Sequence, residues 1–144
     1  MAIKPQVTFD CVDPDRLARF WAAVLGYELQ PPPEGFADWP EALRAWGLPE
    51  SEWNSASAVV DPHGICPRIF FQRVPEPKSG KNRLHLDVPV SDGPGIPLER
   101  KREQVRAGVR RVVALGASEV GDVEELGSYW TVMRDPEGNE FCVT

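Results

Sequence analysis

At 144 residues and 42% hydrophobic content, the chain has the size of one domain and enough apolar material for a core. A formal net charge of -6 works against binding to nucleic acid, whose phosphates attract basic surfaces. No stretch approaches the roughly 20 apolar residues of a membrane span, and residues 1–6 lack the apolar run of a signal peptide; a cytoplasmic protein with no membrane partner is expected. Cys11, Cys66 and Cys142 are odd in number and far apart, which fits reduced thiols, and Cys11 and Cys66 read as half-buried.

Along residues 7–12, Val7, Phe9 and Cys11 alternate with Thr8 and Asp10, the period of a strand with one apolar face. Asp13-Pro-Asp15 starts a helix by capping, by proline at the first helical position and by a carboxylate near the positive end of the dipole. Leu17, Phe20, Trp21, Val24 and Leu25 make its apolar stripe, and Gly26 ends it. Tyr27-Glu-Leu29 reads as a second strand. Residues 31–54 break the pattern: three prolines open the segment, residues 40–46 form a short helix at most, and Phe36, Trp39, Trp46 and Trp53 make it unusually aromatic. Strands at 57–60 and 68–74 flank the turn Asp61-Pro-His-Gly64, and His63 reads as a solvated turn residue. Residues 75–81 read as a linker.

The second half restarts with a strand at 83–88 that carries Leu84, Leu86 and Val88 on one face. A helix through 98–115 follows, with Val105, Val109, Val112 and Val113 inward and Arg100, Lys101, Arg102, Arg106, Arg110 and Arg111 on its solvated face. Gly116 ends it. Strands near Glu119, at 129–133 and at 140–143 complete the chain, with Asp135-Pro-Glu-Gly138 as a turn. Three landmarks recur in order: Thr8-Phe-Asp10 with His85-Leu-Asp87, Leu25-Gly26 with Leu115-Gly116, and the two Asp-Pro-x-Gly turns. The chain therefore reads as a duplicated β-α-β-β-β unit.

A repeated β-α-β-β-β unit of this length resembles the vicinal-oxygen-chelate superfamily, which includes glyoxalase I, extradiol dioxygenases and bleomycin-resistance proteins. The wording of Asp13-Pro-Asp-Arg-Leu-Ala-Arg-Phe-Trp-Ala-Ala-Val-Leu-Gly26 is similar to the first helix of glyoxalase-like domains, and Arg83-Leu-His-Leu-Asp87 and Met133-Arg-Asp-Pro-Glu-Gly-Asn-Glu-Phe-Cys142 are similar too. The resemblance implies an α+β fold: paired β-α-β-β-β modules forming a curved mixed sheet cup with helices outside. It implies a single domain over 1–144, with module one at 1–75, an insert at 31–54, a linker at 76–81 and module two at 82–144. It also implies a homodimer, since many relatives build their cups between subunits.

In metal-dependent members, ligands come from the first and last strands of each module. Those positions fall here on Gln6 or Thr8, on Gln72, on His85 and on Cys142. His85, Gln72 and Cys142 are thus the metal candidates, for a divalent ion. A Cys/His pair suits zinc, yet the remaining neutral oxygens bind zinc poorly, and a hard ion disfavours sulfur. The alternative is a polar pocket floor made by Gln72 and His85, with Cys142 packing as a small apolar residue. Asp87, two residues beyond His85, is placed to orient the imidazole or to act as an acid/base group, so His85 and Asp87 are the catalytic candidates. Gln6, Thr8, Gln72, Cys142, Trp39 and Trp46 are the ligand-binding candidates, with the aromatic insert as a wall over the cup.

Two functions compete. One is a small-molecule-binding protein of the bleomycin-resistance kind, without a metal, which the aromatic segment and the incomplete ligand set favour. The other is a metal-dependent lyase, isomerase or dioxygenase centred on His85. A bare interaction module leaves inward His85 and Gln72 without a role.

Overall fold

The computed structural model describes Met1–Thr144, which form two units, Met1–Pro77 and Lys78–Thr144, each built on its own four-stranded mixed sheet. In the first unit the alternating pattern gives strand β1 (Val7–Cys11). Asp13 caps helix α1 (Pro14–Leu25), its carboxylate accepting from the Arg16 N–H at 3.2 Å. Gly26 ends the helix at φ 72°, a left-handed conformation that strains other L residues. Leu17, Phe20, Trp21 and Val24 are buried along one stripe.

Strand β2 (Glu28–Leu29), helix α2 (Trp39–Ala45), a 3-10 segment (Glu50–Ser55) and strands β3 (Ala56–Val60) and β4 (Ile69–Arg73) complete the unit. The sheet runs β1-β4-β3-β2, with β1 and β4 parallel and the other pairs antiparallel. Phe9 lies opposite Phe71 in the register, their rings 5.3 Å apart, and Phe9 also meets Trp21 of α1 at 5.4 Å. Because strand side chains alternate, the Phe9, Ile69 and Phe71 face packs on α1, and Thr8, Asp10, Phe70 and Gln72 belong to the opposite face.

The second unit comprises β5 (Asp87–Val88), α3 (Leu98–Leu115), β6 (Ser118–Glu125), β7 (Ser128–Arg134) and β8 (Glu140–Val143). Its order is β5-β8-β7-β6, again with the first and last strands parallel. The duplication extends to atoms. In each Asp-Pro-x-Gly turn the glycine N–H donates to the aspartate carbonyl at 2.9 Å. In each, the aspartate side chain also accepts from the N–H groups two and four residues on: His63 and Ile65 for Asp61, Glu137 and Asn139 for Asp135. The fold is therefore α+β, with two β-α-β-β-β modules.

Gly108 sits in the middle of α3, where glycine weakens a helix by about 1 kcal/mol relative to alanine. A Cβ there would stand 2.9 Å from Val90 Cγ2 and 3.0 Å from Val143 Cγ1, so the helix approaches β8 more closely than a side chain allows.

Several local expectations need correction. The strand expected at 83–88 is reduced to Asp87–Val88, and Leu84 is 71% exposed. Its parallel partner β8 begins only at Glu140, after the Asp135 turn, and the first bond of the ladder runs from Cys142 N–H to the Leu86 carbonyl. In this register the first residue of β8, Glu140, stands opposite His85, so residues 83 and 84 have no β8 residue to pair with. Val113 is exposed rather than inward, because Val105, Val109 and Val112 already fill the buried stripe; Leu25 is half-buried. Cys66 is exposed, in the loop that wraps the Asp61 carboxylate, whereas Cys11 and Cys142 are buried; all three are free thiols. No helix is long and apolar enough to cross a membrane.

The cationic face of α3 is solvated but paired. Arg100 meets Asp92 at 2.6 Å, Arg106 meets Glu119 at 2.6 Å and Asp122 at 3.2 Å, and Arg102 meets Glu124. Carboxylates of β6 thus pair two cations of the basic stripe, Arg102 and Arg106.

Candidate functional site

The inserted segment of the first unit is ordered by its own chemistry. Asp38 caps α2 through the Glu41 N–H at 2.7 Å, while the Glu41 carboxylate accepts from the Ala37 N–H at 2.7 Å, a reciprocal pairing that fixes the first turn. Trp39 donates its indole N–H to the Gln30 carbonyl at 2.7 Å, and Trp53 donates to the Leu48 carbonyl at 3.0 Å. Trp46 packs edge-on against Trp39 at 6.3 Å and against Phe36 at 6.0 Å. The guanidinium of Arg44 lies 5.6 Å from the Trp53 ring centre.

These aromatics border a cavity of about 720 Å³ within the first unit. Trp39, Trp46 and Trp53 form one wall; Ala58, Phe70 and Arg68 line it from the sheet. That volume falls in the range of small-molecule pockets. Phe70 and Ala58 are register partners, so they share the sheet face opposite Phe71. Arg68 is held at the end of that face: its Nε donates to Gln30 Oε1 at 2.5 Å, its Nη1 to Gln6 Oε1 at 2.7 Å, and its guanidinium lies 5.1 Å from the Phe70 ring centre.

Of the ligand-binding candidates, Trp39 and Trp46 line this cavity; Gln6 touches it only through Arg68. Thr8 and Gln72 lie on the sheet face opposite α1 without lining it, and the Gln72 amide donates to Asp10 Oδ1 at 3.0 Å. Sequence reasoning passed over Arg68 and Gln30. The signal available was the spacing of Arg68, Phe70 and Gln72, which puts all three on the face that Phe71 does not use.

In the second unit, His85, Asp87 and Cys142 come together, their ligand atoms all within 4.8 Å of one another. Asp87 and Cys142 are register partners in the parallel β5–β8 pair, which accounts for their proximity. His85 Nε2 lies 3.5 Å from Asp87 Oδ1; both side chains are exposed, Cys142 is buried. Burial, and secondarily the Asp87 charge, pushes the Cys142 thiol above its ordinary pKa, so it is a neutral thiol at pH 7 in the absence of a cation.

As a donor set for a metal the three side chains fit zinc in kind: an imidazole, a carboxylate and a sulfur. Tetrahedral zinc spaces its ligand atoms by roughly 3.4–3.8 Å. The His85–Asp87 distance matches this, and the full spread of 4.8 Å asks for a modest contraction. Two of the expected metal candidates, His85 and Cys142, lie in this cluster. Gln72 belongs to the first unit and Asp87 completes the cluster in the second.

Two four-stranded mixed sheets, each joined β-α-β-β-β with its end strands parallel, define the vicinal-oxygen-chelate class of fold. The chain belongs to the glyoxalase-like domain family, whose profile matches residues 6–144. No curated protein matches the sequence. Among solved structures, a glyoxalase/bleomycin resistance protein/dioxygenase family enzyme from Burkholderia phytofirmans PsJN is similar at 18% identity, covering 96% of this chain and 94% of that one, with a TM-score of 0.61. A possible glyoxalase from Bacillus cereus is 15% identical, covers 100% and 98%, and scores 0.60. The fosfomycin resistance protein FosX from Listeria monocytogenes is 10% identical, covers 99% and 92%, and scores 0.61; a mutant of it is complexed with Mn(II). At these identities the likeness is one of fold.

Proposed function

We propose that this glyoxalase-like protein binds a small, flat, largely apolar organic molecule in the pocket of its first unit, and that binding there needs no metal. The observation that carries the reading is the tryptophan-walled cavity of about 720 Å³. Trp39 and Trp53 are held by hydrogen bonds to backbone carbonyls, so their ring faces are set before a ligand arrives. A flat molecule gains by stacking on such faces, and truncating one wall costs about 1–3 kcal/mol. Calorimetric titration with 2-naphthamide tests this: binding is expected, weakened roughly tenfold or more by Trp46→Ala and by Trp39→Ala. Absence of binding by the parent protein, or binding indifferent to both substitutions, would sink the reading.

The second reading is a metal-dependent enzyme of the lyase, isomerase or dioxygenase type, favoured by one observation, the convergence of His85, Asp87 and Cys142. Those side chains would hold the ion, and the ion when bound would supply charge to stabilise a developing oxyanion. His85 then serves as a ligand, and the second carboxylate oxygen of Asp87, exposed beside it, is the group left to take or return a proton. Metal analysis of the purified protein separates the readings: one equivalent of zinc, lost in Cys142→Ala, favours the second. A homodimer is part of the proposal on the strength of the family likeness.

A further inference from the structure

Every carboxylate that lines the pocket has a partner of its own. Asp15 pairs with Arg19 at 2.9 Å, Glu52 with Arg73 at 3.1 Å, and Asp38 accepts from the Glu41 N–H at the cap of α2. Arg68 is different. It lines the same cavity, half-buried, and its only polar partners are two neutral amide oxygens, those of Gln30 and Gln6. A guanidinium has five N–H donors, and these two bonds use one on Nε and one on Nη1. The Nη2 group and the second Nη1 N–H remain without an acceptor, so the guanidinium keeps N–H donors to offer a carboxylate.

A chain with a net charge of -6 and 22 acidic residues has ample carboxylates to neutralise an arginine. Arg19, the other cation that lines this pocket, is paired in that way by Asp15. At Arg68 two glutamines instead hold the side chain in position without cancelling its charge, and the Phe70 ring supports one side of the guanidinium plane. The result is a fixed, uncompensated cation at one side of an aromatic pocket.

We infer that the pocket selects planar aromatic molecules that carry one carboxylate, with Arg68 pairing the carboxylate while the tryptophan wall covers the ring. This inference rests on the pocket reading above and adds the charge of the ligand to it. Arg68 then sets specificity: an aromatic amide of the same shape forfeits the charge-assisted pair, and an aromatic cation is repelled. Overall negative charge does not oppose the selection at physiological salt, because screening over roughly 8 Å leaves the nearest fixed charge in control.

The test is calorimetric titration with three probes that share one naphthalene ring: 2-naphthoate, 2-naphthamide and (2-naphthyl)trimethylammonium. The naphthoate is expected to bind about 10–100-fold more tightly than the amide, and the ammonium compound least well. The preference, read as the ratio of naphthoate to amide affinity, is expected to shrink in high salt and to disappear in Arg68→Met. Should Arg68→Met not fold, Arg68→Lys takes its place, keeping the charge but not the planar guanidinium: a reduced ratio of naphthoate to amide affinity supports the inference, an undiminished ratio overturns it. Equal affinity for naphthoate and amide, or a preference that survives Arg68→Met, overturns the inference and leaves the pocket reading standing. If none of the probes binds, the pocket reading itself fails and this one with it.

Discussion

Asn54, near the end of the inserted segment, grips the start of α1 through Asp13: its amide donates to Asp13 Oδ1 at 2.8 Å, and its own carbonyl oxygen accepts from the Asp15 N–H at 2.8 Å. One side chain therefore satisfies a helix-start donor and fastens the insert to the core. Asn54→Ala is expected to cost about 1–2 kcal/mol in urea unfolding. The Asn54 bond is also the main cause that holds the Asp13 carboxyl below its ordinary range. A carboxyl lowered in the folded state stabilises above its unfolded pKa, and that contribution is lost as pH falls through the folded value. Asn54→Ala should therefore cost less at pH 3 than at pH 7; an equal cost at both contradicts the assignment.

Gly108→Ala gains helix propensity yet is expected to destabilise, by about 1–3 kcal/mol, because the new methyl collides with Val90 and Val143. Removing one of the two obstacles tests the cause. In the Val90→Ala background the cost of Gly108→Ala should fall by at least half in thermal unfolding.

Glu140 accepts from the Asn82 N–H at 2.9 Å and meets Lys78 at 3.3 Å, and the Asn82 bond leads the causes that hold its carboxyl down to about 2 from an ordinary 4.5. Its contribution is complete above pH 4.5 and is lost as pH falls towards 2. Glu140→Gln is expected to lower stability at pH 7 by about 1–2 kcal/mol and to flatten the acid limb of the stability curve. A parallel downward shift at every pH would contradict this.

Chelation separates the two functional readings in a single titration. With EDTA present, 2-naphthamide affinity is expected to stay within about twofold of its untreated value. A tenfold loss restored by zinc would transfer the weight to the His85, Asp87 and Cys142 cluster.

The mass in solution is expected to be that of a dimer at micromolar concentration, measured by sedimentation. A monomer across that range contradicts the dimer proposal.

The modular plan was legible because its signals are local. Alternation at Val7, Phe9 and Cys11, the Asp13-Pro14 start, the Gly26 and Gly116 stops and the paired Asp-Pro-x-Gly turns each act within a few residues. The shortening of β5 was not legible, because its pairing depends on a strand that begins only at Glu140, far along the chain. Gly108 marked a mid-helix glycine, but the valines that require it come from elsewhere in the chain. For the pocket, Trp39 and Trp46 were conspicuous by composition, whereas Arg68 acquires meaning only from what it lacks. The absence of a counter-charge is a property of three-dimensional neighbours.

The three thiols are unequal: Cys11 and Cys142 are buried, and Cys66 meets solvent in the loop between β3 and β4. Under air this single accessible sulfur offers each copy one place to crosslink to another, producing a covalent pair unrelated to any native association. Sizing of this protein therefore calls for reductant or Cys66→Ser. The same inequality makes Cys66 a unique handle for maleimide labelling, leaving the tryptophan-lined pocket, to which no cysteine contributes, chemically untouched.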